Sequence, residues 1–203
     1  MKKQIIVTIG REYGSAGHFI AGHLAQKLGF SLYDKAFFIE CHDQIGFSAE
    51  IMEKYDEKPV NILFSKKVRN HTNSIEAHVQ DKVNEFILSK AQSGESFVIV
   101  GRCADQVLRD NPNAIKVFIT GHIKEKLQRI MEIFDLPEDK AMDKLKRHDK
   151  KRRSYHNTYS DMKWGDSRGY DICIDSSVIG IDATVDLLAD YVEKFKAAEP
   201  VIK

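Results

Sequence analysis

The stretch from Ile5 to Gly29, IIVTIGREYGSAGHFIAGHLAQKLG, constrains the fold more than any other part of the chain. A continuous apolar and β-branched run, Ile5 to Ile9, passes directly into Gly10, Gly14 and Gly17. An apolar stripe at helical spacing follows, through Ile20, Leu24 and Leu28. This pattern is a strand buried on both faces, a tight turn, and an amphipathic helix packed back on the strand. Glycines at such a junction let the backbone turn sharply and aim several amide N–H groups inward at the positive end of the helix, which makes an anion site. The competing reading of the same spacing is a turn that is rich in glycine only for close packing.

The strand texture returns at Phe97–Val100, Ile115–Ile119 and Tyr170–Ile174, and Phe30–Tyr33 reads as the end of a second strand. Helical stripes lie between them: Ile75, Val79, Val83 and Phe86; Ile123, Leu127, Ile130 and Phe134; Ile181, Val185, Leu188 and Val192, with Asp182 as the expected cap of the last. Strands alternating with helices of this length predict an α/β sandwich with a parallel sheet and ligands beyond the carboxyl ends of its strands. The 203 residues suit one domain. Residues 36–90 hold no convincing central strand and read as a mainly helical lobe. Residues 140–169 begin as a helix, turn polar, aromatic and basic, and suit a mobile flap better than core.

Composition excludes several classes. The 31 basic and 30 acidic side chains nearly cancel, so overall charge gives no argument for nucleic acid. No apolar stretch reaches the length of a membrane span, and only a strand-length apolar run follows Met1-Lys2-Lys3, so neither a span nor a secretory signal is expected. Cys41, Cys103 and Cys173 are isolated, which predicts thiols in a reducing compartment and a cytoplasmic protein. His18, His23, His42, His71 and His78 form no zinc signature.

An ordinary P-loop ends in Gly-Lys-Ser/Thr, the lysine reaching the β and γ phosphates and the hydroxyl holding Mg²⁺. Here Gly14-Ser15-Ala16-Gly17-His18-Phe19 offers neither. With the helices registered through Leu24-Ala25 and Leu28-Gly29, Gly17 takes the lysine position and His18 the hydroxyl position. His18 can bring positive charge to a bound phosphate but lacks the reach of lysine. Arg11 is the other nearby cation, with a salt bridge to Glu12 as its alternative role.

The string Ile6-Val-Thr-Ile-Gly-Arg-Glu-Tyr-Gly-Ser-Ala-Gly17, with Ile20-Ala21, Leu24 to Gly29 and Tyr33-Asp34-Lys35, resembles the opening of the cytidylate kinase-like family, a branch of the P-loop nucleoside monophosphate kinases. The resemblance continues through Val100-Gly-Arg-Cys-Ala-Asp105, Asp149 to Arg153, Trp164-Gly-Asp166 and Tyr170 to Ser177, and so covers nearly the whole chain. It implies a five-stranded parallel sheet with a helical monophosphate-binding lobe at about 36–90 and a lid at about 140–169. The implied reaction is transfer of the γ-phosphoryl group of ATP, with Mg²⁺, to a nucleoside monophosphate such as CMP or dCMP. Relatives in this branch often carry arginine where this chain has His18, so the missing lysine belongs to the branch and the histidine is a further departure.

On that reading Gly10, Arg11, Gly14, Ser15, Ala16, Gly17 and His18 face the ATP phosphates. Arg102 and Asp105 lie just past an apolar strand. Gly101-Arg102 resembles the Gly-Arg that contacts the monophosphate, and an arginine fork matches phosphate oxygens. Arg109 shares a helical side with Asp105 and is the expected ion-pair partner for it. Asp34 resembles the aspartate that opens the monophosphate segment; it either positions the acceptor or an Mg²⁺-bound water, or caps the helix that starts at Lys35. Seven basic residues crowd Lys144–Arg153 against Asp149 alone. In a lid, Arg147, Arg152 or Arg153 would neutralise charge on the transferred group, and Arg129 would extend the same electropositive wall. Tyr155, Tyr159 and Trp164 beside this run also suit single-stranded nucleic acid, but no strand platform accompanies them. Two other classes remain open: a non-catalytic nucleotide-binding or regulatory protein, and a kinase of another small metabolite.

Overall fold

The structure, a computed structural model, describes residues 3–55, 57–59, 67–68, 71–72 and 74–198. Five strands, β1 (Ile6–Arg11), β2 (Ser31–Tyr33), β5 (Phe97–Val100), β6 (Ala114–Thr120) and β7 (Ile172–Asp175), pair in parallel in the order β2-β5-β1-β6-β7. In register, Ile6 lies opposite Phe97 on one side and Ala114 on the other. A short antiparallel pair, β3 (Lys67–Val68) and β4 (His71–Thr72), stands apart from this sheet.

The period of two along the central strand sorts its side chains between two cores. Ile5, Val7 and Ile9 pack with Val98, Val100, Ile115 and Val117 beneath the helices α1 (Gly17–Leu28) and α9 (Ser176–Ala197). Ile6, Phe97 and Ile99 face the opposite way. They meet Phe38 of α2 (Lys35–Glu40), Ile45 of α3 (His42–Ile45), Met52 of α4 (Ala49–Tyr55) and Val79, Val83 and Ile87 of α5 (Ile75–Gln92). Ile20 and Leu24 are fully buried on α1, and truncating either to alanine is expected to cost about 2–5 kcal/mol. The described residues of 36–90 form helices α2 to α5 and the short β3–β4 pair, and none of them joins the five-stranded sheet.

Because all five strands run the same way, the turns after their carboxyl ends share one edge. The β1–α1 turn, Asp34 before α2, the turn from β5 into α6 (Ala104–Val107), the turn from β6 into α7 (Ile123–Phe134) and Asp175 before α9 all lie there.

Two expectations need correction. The last helix begins at Ser176, capped by the Asp175 side chain through the Ser177 amide, and is two helices joined at Gly180 (φ 82°, ψ 173°). Asp175 caps the first of these, and Asp182 lies within the first turn of the second, just past the Gly180 break. Residues 140–169 are also less detached than a flap. Glu138–Tyr159 forms one unbroken helix, α8, whose Ala141 and Leu145 pack on Leu127 and Ile130 of α7 and whose Tyr155 and His156 are buried. Beyond it Trp164 stacks edge-on against Phe118 of β6, which holds the segment to the sheet.

Candidate active site

In the β1–α1 turn, Gly14 (φ 81°) and Ala16 (φ 60°) take left-handed conformations, and α1 begins directly after them. A Cβ on Gly14 would meet the Lys126 carbonyl at 2.9 Å, and one on Gly17 would meet the Arg11 Cβ at 2.6 Å, so both glycines are needed for close approach. The first intrahelical bond of α1 runs from the Ile20 amide to the Ala16 carbonyl. The amides of Gly17, His18 and Phe19 thus have no helical carbonyl to meet, and the helix dipole adds to their positive end.

The rest of the turn is tied down from the side. The Tyr13 amide donates to Asp149 Oδ1 of α8 (2.7 Å), Arg129 of α7 donates to the Gly14 carbonyl, and the Ser15 hydroxyl donates to the Glu12 carbonyl (2.9 Å). Burial pushes the Asp149 carboxyl upward, against the Tyr13 amide and the Lys126 charge. His148 stacks on Tyr13 with ring centroids 4.2 Å apart, and burial with the surrounding cations pulls it down to about 4. A lysine does lie beside the turn: Lys126 is buried and 2.7 Å from Glu12 Oε2, which also accepts from Thr120 (2.6 Å). Its charge is thereby committed to Glu12. Arg11 accordingly pairs elsewhere, and the expected Arg11–Glu12 bridge is replaced by one to Glu57.

Across the edge, Gly101, Arg102 and Cys103 all have positive φ (80°, 58° and 52°), a strained run before α6. The strain turns the Arg102 side chain inward. It is buried, donates to the Val100 carbonyl (3.0 Å), and lies 4.8 Å from the Phe38 ring centre. Its backbone amide donates to Glu57 Oε1 (3.0 Å), and Arg11 Nη1 is 3.4 Å from the same oxygen. Burial works to raise the Glu57 carboxyl, but Arg11, Arg102 and Arg152 together hold it well below the usual carboxylate range. Arg152 of α8 donates to the Arg11 carbonyl (3.3 Å) and lies over Tyr13. Burial and Arg11 weaken its hold on a proton, to about 9, while Glu57 and Asp149 act the other way. Gly10, Arg11, Glu57, Arg102, Arg152 and His156 line one cleft, over the end of β1 and the β5–α6 turn.

The other sequence candidates fall as follows. Asp34 caps α2 through the Phe37 amide (3.0 Å), and its second oxygen lies 3.2 Å from Nε2 of the exposed His18. Asp105 pairs with His156 (2.7 Å) instead of Arg109, which reaches Asp161 (2.8 Å) and Asp110. The reason is burial: the tail of α8 covers Asp105, while Arg109 stays at the surface. Arg147 is exposed, and the exposed Arg153 lies over Trp164, so of the three lid arginines Arg152 alone lines the cleft. Among the described residues, no group of three or more His, Cys, Asp or Glu side chains is arranged to hold a metal ion.

Glu57 and His156 of the cleft, and Asp149 and Lys126 beside the β1–α1 turn, were not singled out from sequence. Leu145, Asp149, Arg152 and His156 recur at helical spacing, so one face of α8 was legible as a stripe carrying chemistry. Lys126 lies on the apolar side of α7 between Ile123 and Ile130, a signal for burial. Glu57 had no such signal.

Known proteins agree with this architecture. The sequence matches the cytidylate kinase-like family over residues 6–178. The chain belongs to that family. An uncharacterized protein from Eubacterium ventriosum ATCC 27560 is 36% identical and superimposes with a TM-score of 0.75, over 94% of this chain and 99% of that one. A shikimate kinase from Bacteroides thetaiotaomicron (13% identity, TM-score 0.55, 93% and 98% covered) and a gluconokinase from Sinorhizobium meliloti 1021 (13%, 0.51, 96% and 98%) share the fold. No curated protein matches the sequence significantly. Membership places the chain among the kinase-type phosphotransferases related to nucleoside monophosphate kinases. No helix among the described residues is long and apolar enough to cross a membrane.

Proposed function

We propose that this protein transfers the γ-phosphoryl group of ATP to a nucleoside monophosphate, with CMP or dCMP the leading acceptor. The observation that carries the reading is the gathering of Arg11, Arg102 and Arg152 in one cleft at the carboxyl edge of the sheet. The β1–α1 turn at the same edge, read as the donor side, presents the first amides of α1. Phosphoryl transfer asks mainly for positioning and charge placement, which these groups supply.

The donor phosphates would lie over Gly14 to His18, held by main-chain N–H groups. Mg·ATP supplies the transferred group, and with no lysine in the turn and the Ser15 hydroxyl donated to the Glu12 carbonyl, the metal would be held chiefly by phosphate oxygens and water. Arg102 and Arg11 would fork the acceptor phosphate, Arg152 would face the charge on the group in transit, and Asp105, fixed by His156, would border the acceptor. Helices α2 to α5 would form the acceptor lobe, and α8 would cover the cleft through Arg152 and His156 as a fixed wall and not as a detached flap. The unpaired, dispersed cysteines accord with a cytoplasmic setting.

One observation favours a second reading, a nucleotide-binding protein without efficient transfer: the lysine next to the turn is committed to Glu12. ATP consumption across a panel of nucleoside monophosphates with Mg²⁺ separates the two. Turnover greatest with CMP or dCMP is expected; ATP binding without turnover on any member selects the second reading, and turnover of a small metabolite alone would change the acceptor.

A further inference from the structure

The arginine cluster already holds an anion, and the anion belongs to the chain itself. Glu57 Oε1 accepts the Arg102 amide at 3.0 Å and lies 3.4 Å from Arg11 Nη1, with Arg152 as a third cation close enough to act on it. The contact is kept at a backbone cost, since Glu57 sits at φ 53°, a left-handed conformation uncommon for a residue with a side chain. It also explains a glycine. A Cβ at Gly101 would run into the Glu57 carboxylate and the Arg11 guanidinium, so the turn is open at the point where this pair lies over it.

We propose that Glu57 is an internal ligand of the acceptor's anion seat: its carboxylate stands where the acceptor phosphate docks, and the phosphate must displace it. This rests on reading Arg11, Arg102 and Arg152 as the acceptor side. The Glu57 carboxylate meets the Arg102 amide and Arg11 Nη1 with a single negative charge. A dianionic phosphate at the same distances gains about twice the Coulomb attraction of a monoanion. A free carboxylate only reproduces what Glu57 provides and must also outcompete a tethered group whose effective concentration is about millimolar or higher. Glu57 is therefore a specificity-determining residue that admits phosphate-bearing molecules and rejects carboxylate-bearing ones. It also gives Arg11 a part-buried ion-pair partner when no phosphate is bound.

The test compares the full chain with Glu57→Gln and Glu57→Ala, using inorganic phosphate and acetate as probes in calorimetry and thermal melts. If the seat is open about a tenth of the time in the parent, phosphate will bind both variants about tenfold more tightly, because the apparent affinity is scaled by the open fraction. Acetate will raise the melting temperature of Glu57→Ala, where it refills the vacated carboxylate position, and not that of the parent. Phosphate binding that is unchanged or weaker in Glu57→Gln overturns the proposal and makes Glu57 a bracket that aligns the arginines. Equal acetate stabilisation of parent and Glu57→Ala also overturns it. Glu57→Gln keeps the side-chain volume, so the phosphate arm stands even if the alanine variant does not fold. If no nucleoside monophosphate is phosphorylated and the phosphate gain is still seen, the kinase reading falls and the internal ligand stands.

Discussion

The two turns at the carboxyl edge solve the same problem in opposite ways. The β1–α1 turn carries little side-chain charge: His18 is exposed, Lys126 is spent on Glu12, and what the turn offers is main-chain N–H. The β5–α6 turn is dense in charge, with Arg102 buried and Arg11 and Arg152 drawn toward Glu57. If the proposed site is right, the contrast teaches that a P-loop-like turn can lose its lysine without losing positive potential, because the charge is rebuilt on neighbouring elements.

The contrast breaks most directly at Arg152, which touches both sides. Arg152→Ala should lower kcat by about 10²–10³ with the fold kept, the size seen when one electrostatic contact to developing charge is removed. Arg153→Ala, whose side chain lies on Trp164 at the surface, should change it less than about twofold. Equal losses in steady-state assays would show that the whole basic face of α8 acts, and not the inward arginine alone.

Gly101→Ala tests the charge-dense turn through its backbone. The new methyl group would meet both Glu57 and Arg11 at a positive-φ position, so a destabilisation of about 2–3 kcal/mol is expected in chemical denaturation. A change below about 0.5 kcal/mol would mean that the pair moves aside freely.

Glu57 also gives this turn a pH signature. Its folded-state carboxyl is depressed by the three arginines, so its contribution is fully present above the ordinary glutamate value of about 4.3 and is lost as pH falls through the depressed range. The melting-temperature gap between the parent and Glu57→Gln should therefore be constant from pH 8 to about 5 and shrink below about 4. A gap that widens on acidification would show that the carboxyl is not charged in the folded protein.

The smallest effect belongs to the amide-based turn. His18→Arg keeps a partner for Asp34, 3.2 Å away in the parent, and adds a fork beside the turn. The KM for ATP should fall about two- to fivefold with kcat little changed. An unaltered KM would indicate that position 18 does not face the donor phosphates.

How much of this was readable in advance depended on how local each signal was. The β1–α1 unit is contiguous and every part of it leaves a pattern: a period of two for the strand, glycines for the turn, an apolar stripe for the helix. The parallel sheet followed from the same texture recurring. Residues paired over long separations left no such trace. Glu57 and Arg11 are 46 positions apart and Asp105 and His156 are 51 apart, so no spacing rule connects them, and the nearer partners Glu12 and Arg109 were the natural guesses. Charge alone also concealed orientation in Lys144–Arg153. Seven cations within ten residues read as a solvated face until helical phase is applied, and then Asp149 and Arg152 fall on the side of Leu145 and His156.

That phase has a mechanical consequence. Asp149, Arg152 and His156 reach Tyr13, Arg11 and Asp105 respectively, from one unbroken helix. At a rise of 1.5 Å per residue, the first and last of these grips are about 10 Å apart along a rod that does not stretch. The helix is thus a spacer bar between the β1–α1 and β5–α6 turns: it cannot release the loop at Tyr13 by tilting without also dragging on Asp105. Removing one residue between Asp149 and His156 would swing the later grip by about 100° and leave only one of them engaged.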